Sequence, residues 1–389
     1  MRPNEETSTL HVTTPARPPG FETEAVLGGA SDAGSRRRPL RWLGTQRGLN
    51  SLRLLGLAAG ICVIALAFGI AHPQFFGLGN QLTLMRSMVS LGIIAFAQML
   101  VILVGEIDLS VGAVYGLTAV GTAALWLGGG AIPVSAPLVI ALAFGLALAA
   151  LAGLLNGFLV LSAGLPSFIA TLGLLNVTQG LQLLIGNAAT FTPDYNEPLP
   201  PQWERTMFKL LGGQDIGAGI PSEIIWLLIA LILFWFLRHR TIFGFRLVAI
   251  GGNPEAAKVA RLPLTKYKYL VFLLSSLSAG IAGILDFSYV GSVGPSDAGS
   301  LLFSVIAAVV IGGASLNGGR GTVLGTLLGV VLLSLLNNGL ALLGVGSFAQ
   351  LLFIGIVTIV AVWIDIFSQR LIRRAGHRAA EGAEGRGPP

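Results

Sequence analysis

Residues 104–112 read VGEIDLSVG and place two carboxylates, Glu106 and Asp108, between long apolar stretches. Ionisable side chains inside a membrane protein are costly, and they commonly belong to substrate pathways or proton relays. Glycines on both sides loosen the chain, and Asp108 or Ser110 is suited to cap a following helix. The spacing therefore predicts a break between two helices, with Asp108 as the N-cap of the second. A polar gate and a proton relay are the alternatives.

Catalytic chemistry has little support elsewhere in the sequence. There is no G-x-x-x-x-G-K-[ST] phosphate loop, so we do not expect this chain to hydrolyse ATP. The histidines are scattered through tails and loops, at His11, His72, His239 and His377. No cluster with carboxylates or cysteine predicts a metal, and no Ser/His/Asp arrangement predicts a nucleophile. We expect no enzyme activity, no cofactor and no metal site.

The segments that carry the polar residues are apolar. Of 389 residues, 53% are hydrophobic and 11% are charged, whereas soluble domains carry about 25% charged residues. Uncharged apolar runs of about 18 residues or more recur along the chain. They predict an all-α polytopic membrane protein with about ten transmembrane helices, at 52–72, 82–104, 109–128, 132–161, 166–187, 220–238, 267–290, 299–315, 321–343 and 346–368.

The two ends of the chain have a different composition. Residues 1–50 are rich in Pro, Gly, Thr and Arg, and no apolar stretch follows the first Met, which argues against a signal peptide. We expect a disordered basic cytoplasmic tail over 1–50, a transmembrane domain over 51–370 and a second disordered cytoplasmic tail over 371–389.

The distribution of positive charge predicts the orientation. If both termini lie inside, all but three of the 24 Lys and Arg residues fall on the cytoplasmic side, as the positive-inside rule requires. The exceptions are Arg86, Arg205 and Lys209. The basic excess is therefore an orientation signal in contact with membrane lipid, and it does not indicate nucleic-acid binding.

The inner loop 238–266 contains the helix signals GGNPEAAKVARLP. Asn253 is suited to the N-cap, Pro254 to the first helical position and Glu255 to the positive helix end, and Pro263 ends the pattern. We expect a short cytoplasmic helix over 253–262. It either lies on lipid headgroups or docks a cytoplasmic partner.

Several segments resemble, in colinear order over about residues 80–368, the permease subunits of bacterial ribose/xylose-type ABC importers. They are the inner loop just described, GEIDLSVGAVYGL, LPSFIATLGLLNVTQGL, IAAVVIGGASLNGGRGTVLGTLLGVVLL and LLNNGLALLGVGSFAQLLFIGIVTIVAVWID. One departure is Glu106, since the family usually has Gly at this position.

The resemblance implies a permease subunit that moves a sugar, a pentose, hexose or related polyol, across the inner membrane. Two cytoplasmic ATP-binding subunits, a periplasmic sugar-binding protein and a second permease copy, in a homo- or heterodimer, would complete the importer. The inner-loop helix would be its coupling helix, with contact residues Asn253, Pro254, Glu255, Ala256, Ala257 and Arg261. The alternatives are an ABC permease for branched-chain amino acids or nucleosides, and a stand-alone ion-coupled carrier.

A sugar pathway needs hydrogen-bonding side chains and an aromatic face. Within the predicted spans the candidates are Gln98, Asp108, Asn156, Phe168, Thr171, Asn176, Gln179, Asn337, Asn338 and Gln350. Hydrogen bonding between helices is the alternative role for each polar member of this set.

Overall fold

The computed structural model of the chain describes residues 46–217, 219–295, 299–360 and 363. The chain divides into two units, 1–49 and 50–389, and the following description concerns the second. The predicted tails 1–50 and 371–389 lie outside the described residues, except for residues 46–50, which form the start of the first helix.

Most of the described residues are helical. The helices are α1 Gln46–Ala71, α2 Leu78–Leu103, α3 Val111–Leu127, α4 Leu138–Leu161, α5 Ser167–Gly186, α6 Gln202–Leu211, α7 Ser222–Arg240, α8 Ile242–Gly252, α9 Pro254–Val259, α10 Leu264–Val290, α11 Gly299–Ile311, α12 Val323–Leu342 and α13 Ser347–Val360. Two short strands, β1 Asp215–Ile216 and β2 Ile220–Pro221, form an antiparallel hairpin between α6 and α7. The predicted all-α class is confirmed.

Seven of these helices are long and apolar enough to cross a membrane: α1, α2, α4, α5, α7, α10 and α12. Three further predicted spans form shorter apolar helices, α3, α11 and α13, and the end of the last predicted span, beyond Val360, lies largely outside the described residues. Every predicted span therefore contains a helix. The sequence did not predict α6 and the hairpin, which lie between α5 and α7, or α8, which follows α7.

Helix α2 lies at the centre of the protein. In its most apolar window 78% of the residues are buried, against 6% in α1. It packs against α7, α10, α11 and α12, and every residue from Leu91 to its end at Leu103 is buried. Segment 104–110, which follows Leu103 at the end of α2, therefore starts at a buried position, Val104.

Glycines bring α3, α4 and α10 into close contact. A Cβ atom on Gly153 of α4 would lie 2.9 Å from the backbone of Leu273 in α10, and one on Gly283 of α10 would lie 2.2 Å from the carbonyl oxygen of Tyr115 in α3. Small residues permit such close approach between membrane helices. This packing places polar side chains of α4 and α10 next to segment 104–110.

Candidate functional site

Segment 104–110 joins α2 to α3 without regular structure. The carboxylate of Asp108 accepts hydrogen bonds from the backbone N–H of Ser110 at 2.9 Å and from the Ser110 hydroxyl at 2.7 Å. This is a local Asp turn that precedes the helix. The break between the helices is confirmed. The prediction that Asp108 is the N-cap is wrong, because Ser110 occupies that position and its side chain makes no capping bond.

Asp108 belongs to a buried polar cluster of Gln98, Asp108, Ser110, Asn156 and Ser275. The Asn156 amide donates to the Ser110 hydroxyl at 2.8 Å and to the Asp108 carboxylate at 3.3 Å. The Gln98 amide donates to the Asp108 carbonyl at 3.2 Å and accepts from Ser275 at 3.4 Å. These bonds connect segment 104–110 with α2, α4 and α10. Ser275 was not singled out by the sequence, since an isolated serine gives no distinctive signal.

The cluster is closed to solvent in this conformation. Gln98, Asp108 and Asn156 are 0% exposed, so a sugar does not reach these three predicted pathway residues. One carboxylate oxygen of Asp108 and the side-chain oxygen of Asn156 have no hydrogen-bond donor among the described residues. A buried acceptor without a donor costs about 1–3 kcal/mol. The cluster therefore joins helices and retains the capacity to accept further hydrogen bonds.

The predicted pathway residues of α5 lie beside the same segment or on the exposed face of the helix. The Thr171 hydroxyl donates to the Ile107 carbonyl at 3.3 Å, and the Ile107 N–H donates to the Ser167 hydroxyl at 3.3 Å. Phe168 and Asn176 are exposed on α5, and Gln179 is half-buried. The start of α5 is thus bonded to the segment through both backbone groups of Ile107.

The remaining pathway candidates lie elsewhere. Asn338 of α12 exchanges a pair of 3.0 Å amide bonds with Asn80 at the start of α2. Gln350 donates to the nearby Val345 carbonyl at 2.7 Å, and Asn337 is half-buried on α12. The structure therefore does not bring the ten candidates together in one pathway.

Helix α9 is capped as its sequence predicts. The Asn253 side chain accepts the Ala256 N–H at 3.0 Å, and Pro254 occupies the first turn. The helix is shorter than predicted, with 6 residues ending at Val259. Arg261 follows in the left-handed region, at φ 55°.

The two faces of α9 differ in exposure. Ala257 is 4% exposed and packs into the protein's own core, so it is not available to a partner on the surface. Glu255, Ala256 and Arg261 are exposed, and Val259 is 86% exposed. Sequence reasoning did not select Val259, because so short a helix has too few turns for its periodicity to show which face points outward.

The family described as branched-chain amino acid transport system, permease component, matches residues 80–362. The chain belongs to this permease family. The probable ABC transporter permease protein YphD of Escherichia coli is 39% identical to it, over 80% of this chain and 89% of that protein. The ribose import permease RbsC of Bacillus subtilis is 37% identical, over 81% and 93%. The L-arabinose ABC transporter permease AraH of Azospirillum brasilense is 32% identical, over 82% and 89%.

Family membership establishes the general role of the permease. It is a multi-pass protein of the inner membrane and a transport component of an ABC transporter, not an enzyme. A permease of this kind works with ATP-binding subunits and a substrate-binding protein.

One ionic contact of the permease was not found from its sequence. The Lys268 ammonium, in the first turns of α10, donates a hydrogen bond to the Glu106 carboxylate. The side chains of Lys268 and Glu106 are 19% and 12% exposed. With both termini inside, the predicted spans 82–104 and 267–290 place Glu106 and Lys268 at the same cytoplasmic depth, and this shared depth is the signal that would have found the pair.

Proposed function

We propose that this permease is the membrane subunit of an ATP-driven importer that moves a sugar, a pentose, hexose or related polyol, across the inner membrane. The observation that carries the proposal is its colinear similarity, over about four-fifths of the chain, to permeases named for ribose and L-arabinose. The family description mentions branched-chain amino acids, but these relatives favour a sugar.

Uptake into cells tests the substrate class. We expect cells that express the complete importer to accumulate radiolabelled D-ribose or L-arabinose in an ATP-dependent manner, with no accumulation of leucine. Leucine uptake without sugar uptake would show that the permease transports an amino acid and not a sugar.

We also propose that α9 is the coupling helix that docks the cytoplasmic ATP-binding subunit. Its cap, its exposed Glu255, Ala256 and Arg261, and the apolar Val259 side chain support this role. Val259 is a suitable docking side chain because an exposed apolar group gains free energy when a partner covers it. The buried Ala257 would support α9 from beneath.

The docking test is a charge placed at the tip of α9. Val259→Asp should fold normally, since its side chain is exposed, and should lose copurification of a coexpressed ATP-binding subunit, because docking would bury an unpaired charge. The matched control is Val134→Asp, which alters an exposed valine between α3 and α4. Equal copurification with both variants would show that α9 is only a surface connector.

The proposed orientation places both termini and α9 in the cytoplasm and loop 188–219 outside. Because α1 begins at Gln46, the proposed cytoplasmic tails are residues 1–45 and 371–389, rather than 1–50 and 371–389, on either side of the transmembrane domain predicted over 51–370. After replacement of the single native cysteine, Cys62→Ser, Ala256→Cys and Tyr195→Cys should react with impermeant maleimide from opposite sides of the membrane. Reaction from one side would contradict this topology.

The complete importer is proposed to contain two permease copies, two ATP-binding subunits and one periplasmic sugar-binding protein. The second permease copy is either this chain or a paralogue. Light scattering of the purified complex, after subtraction of detergent mass, distinguishes a single permease copy from a pair.

A further inference from the structure

We propose that Glu106 and Lys268 form a positioning pair, which transmits the displacement of α9 to segment 104–110 and from there to α5. This inference rests on the proposed role of α9 as the coupling helix. It gives a specific function to Glu106, for which the sequence indicated no catalytic, metal-binding or helix-capping role.

The chain before α9 is packed against the end of α2. A Cβ atom on Gly251, in the last turn of α8, would lie 1.8 Å from the Leu103 carbonyl oxygen and 2.7 Å from the Gly319 nitrogen. The Gly319 N–H itself donates to the Leu103 carbonyl at 2.8 Å. The backbones of three separate segments therefore touch here, and no flexible side chain lies between them to absorb a displacement.

The chain after α9 is connected to the same region, at the end of α2, through the ion pair between Lys268 and Glu106. A short turn over 260–263 leads from α9 into α10, and Lys268 lies in the first turns of α10. Its ammonium group bonds to Glu106, three residues beyond Leu103. Both flanks of α9 are thus attached to residues 103–106, the first by main-chain contact and the second by one charged hydrogen bond.

Segment 104–110 continues the connection into the membrane domain. Ile107, next to Glu106, bonds through its N–H and carbonyl to Ser167 and Thr171 of α5. Asp108 is fixed to α4 through Asn156. A shift of Glu106 therefore acts directly on the start of α5, the helix that carries the exposed Phe168 and Asn176.

The chemistry of the pair suits transmission. Both side chains are mostly buried, so loss of either partner leaves a charge that is poorly solvated and unpaired. A charged hydrogen bond at this depth is stronger than one between exposed side chains. The pair therefore resists separation when α10 moves with α9.

The test is a fluorescence measurement on α5. In a Cys62→Ser background, Phe168→Cys carries a bimane label, and the full permease is copurified with its ATP-binding subunit and reconstituted in liposomes. When Glu106 and Lys268 are unchanged, the bimane emission of the labelled permease should shift between the nucleotide-free state and the ATP–vanadate state. Glu106→Lys and Lys268→Glu should each lose that shift while the complex still copurifies.

The charge-exchange variant separates transmission from a purely structural role. Glu106→Lys combined with Lys268→Glu restores an opposite-charge pair, and the nucleotide-dependent shift should return. Lys209→Glu, which reverses a charge paired with Asp194 near α6, is the matched control and should leave the shift intact. A retained shift in both single variants, or no recovery in the exchange variant, overturns the proposal.

Failure of the proposed function is visible separately. If Val259→Asp retains the ATP-binding subunit and the emission shift, α9 is not the coupling helix, whatever the result for the ion pair. If the docked complex forms and responds but the two single charge reversals have no effect, the coupling helix stands and the positioning role of Glu106 and Lys268 is rejected.

Discussion

The two ends of the permease, called inner and outer after the orientation proposed above, are held together by different kinds of contact. At the inner end, the backbones around Leu103, Gly251 and Gly319 touch directly. At the outer end, the body of α6 is attached through side chains: the Trp126 indole donates to Glu204 at 2.7 Å, and the Phe208 ring packs at a tilt against Trp126 with ring centroids 4.8 Å apart. Where α6 ends, Gly212 is packed against the backbone of α10, since a Cβ atom there would lie 2.6 Å from the Leu285 carbonyl oxygen.

The difference shows how the two ends respond to change. Backbone contacts leave no room for a side chain, so a substitution there moves whole segments. Side-chain contacts are individually replaceable, and the loss of one leaves the others in place. The inner end is therefore suited to transmit movement, whereas the outer end is suited to hold a covering element.

The largest expected effect is at Gly251. In Gly251→Ala the new Cβ atom would lie 1.8 Å from the Leu103 carbonyl oxygen, and the backbones have to separate. We expect destabilisation of about 3 kcal/mol or more, seen as a lower thermal midpoint and less monodisperse protein in detergent. The matched control is Gly252→Ala, where the nearest atom would be 4.0 Å away.

Equal behaviour of these two variants would break the comparison. It would mean that a substitution at the inner end costs no more stability than one at a side-chain contact. The backbones of α8 and α2 would then not be in direct contact. A large loss of stability in Gly251→Ala, with little loss in Gly252→Ala, would instead show that the rigid contact is at Gly251.

A smaller effect is expected at the outer end for Trp126→Phe. This variant keeps an aromatic ring but removes the N–H that bonds to Glu204, which is 4% exposed. Loss of a donor to a buried carboxylate costs about 2 kcal/mol. The control is Trp203→Phe, because Trp203 is 58% exposed on the same α6 helix.

The measurement for both tryptophans is the thermal midpoint together with protease cleavage of loop 188–219. We expect Trp126→Phe to lower the midpoint and to accelerate cleavage in the loop while the rest of the permease stays resistant. Loss of the whole fold in Trp126→Phe would show that the outer end is as strongly coupled to the core as the inner end.

Strong local signals made much of the fold predictable. Apolar runs located each predicted membrane helix, and the N–P–E sequence located the cap of α9, because both signals act within a few residues. The Gly-flanked break after α2 was predictable for the same reason. Membership of the permease family followed from several motifs in fixed order.

Contacts between distant segments were not predictable. The cluster of Asp108, Asn156 and Ser275 joins residues from three parts of the chain, and its serine carries no special signal. The orientation of Ala257 toward the core depends on how α9 packs, which its sequence does not determine. In α6, burial of Glu204 depends on a tryptophan in α3 and is equally invisible in the local sequence.

The smallest expected effect concerns the exposed ion pairs that Asp194 forms with two basic residues of α6. The Lys209 ammonium bonds to Asp194 at 2.8 Å, and Arg205 approaches the same carboxylate at 3.3 Å. Hydrogen bonding and charge from Lys209, with a further contribution from Arg205, lower the pKa of Asp194 below its usual value. The stabilisation is therefore complete above the pKa of the unfolded chain, about 3.9, and disappears as the pH falls through the lower pKa of the folded state.

Asp194→Asn removes this contribution, and because the carboxylate is substantially exposed, we expect a loss below about 1 kcal/mol. The difference in thermal midpoint between Asp194→Asn and wild type should be constant from neutral pH down to about pH 5. It should shrink below that pH as the wild-type carboxylate becomes protonated, and also in high salt, which screens exposed charges. A loss as large as that of Trp126→Phe, or one that persists unchanged in acid, would show that Asp194 holds α6 through buried packing. In that case the side-chain contacts at the outer end could not be removed one at a time, and the two ends would not differ in this respect.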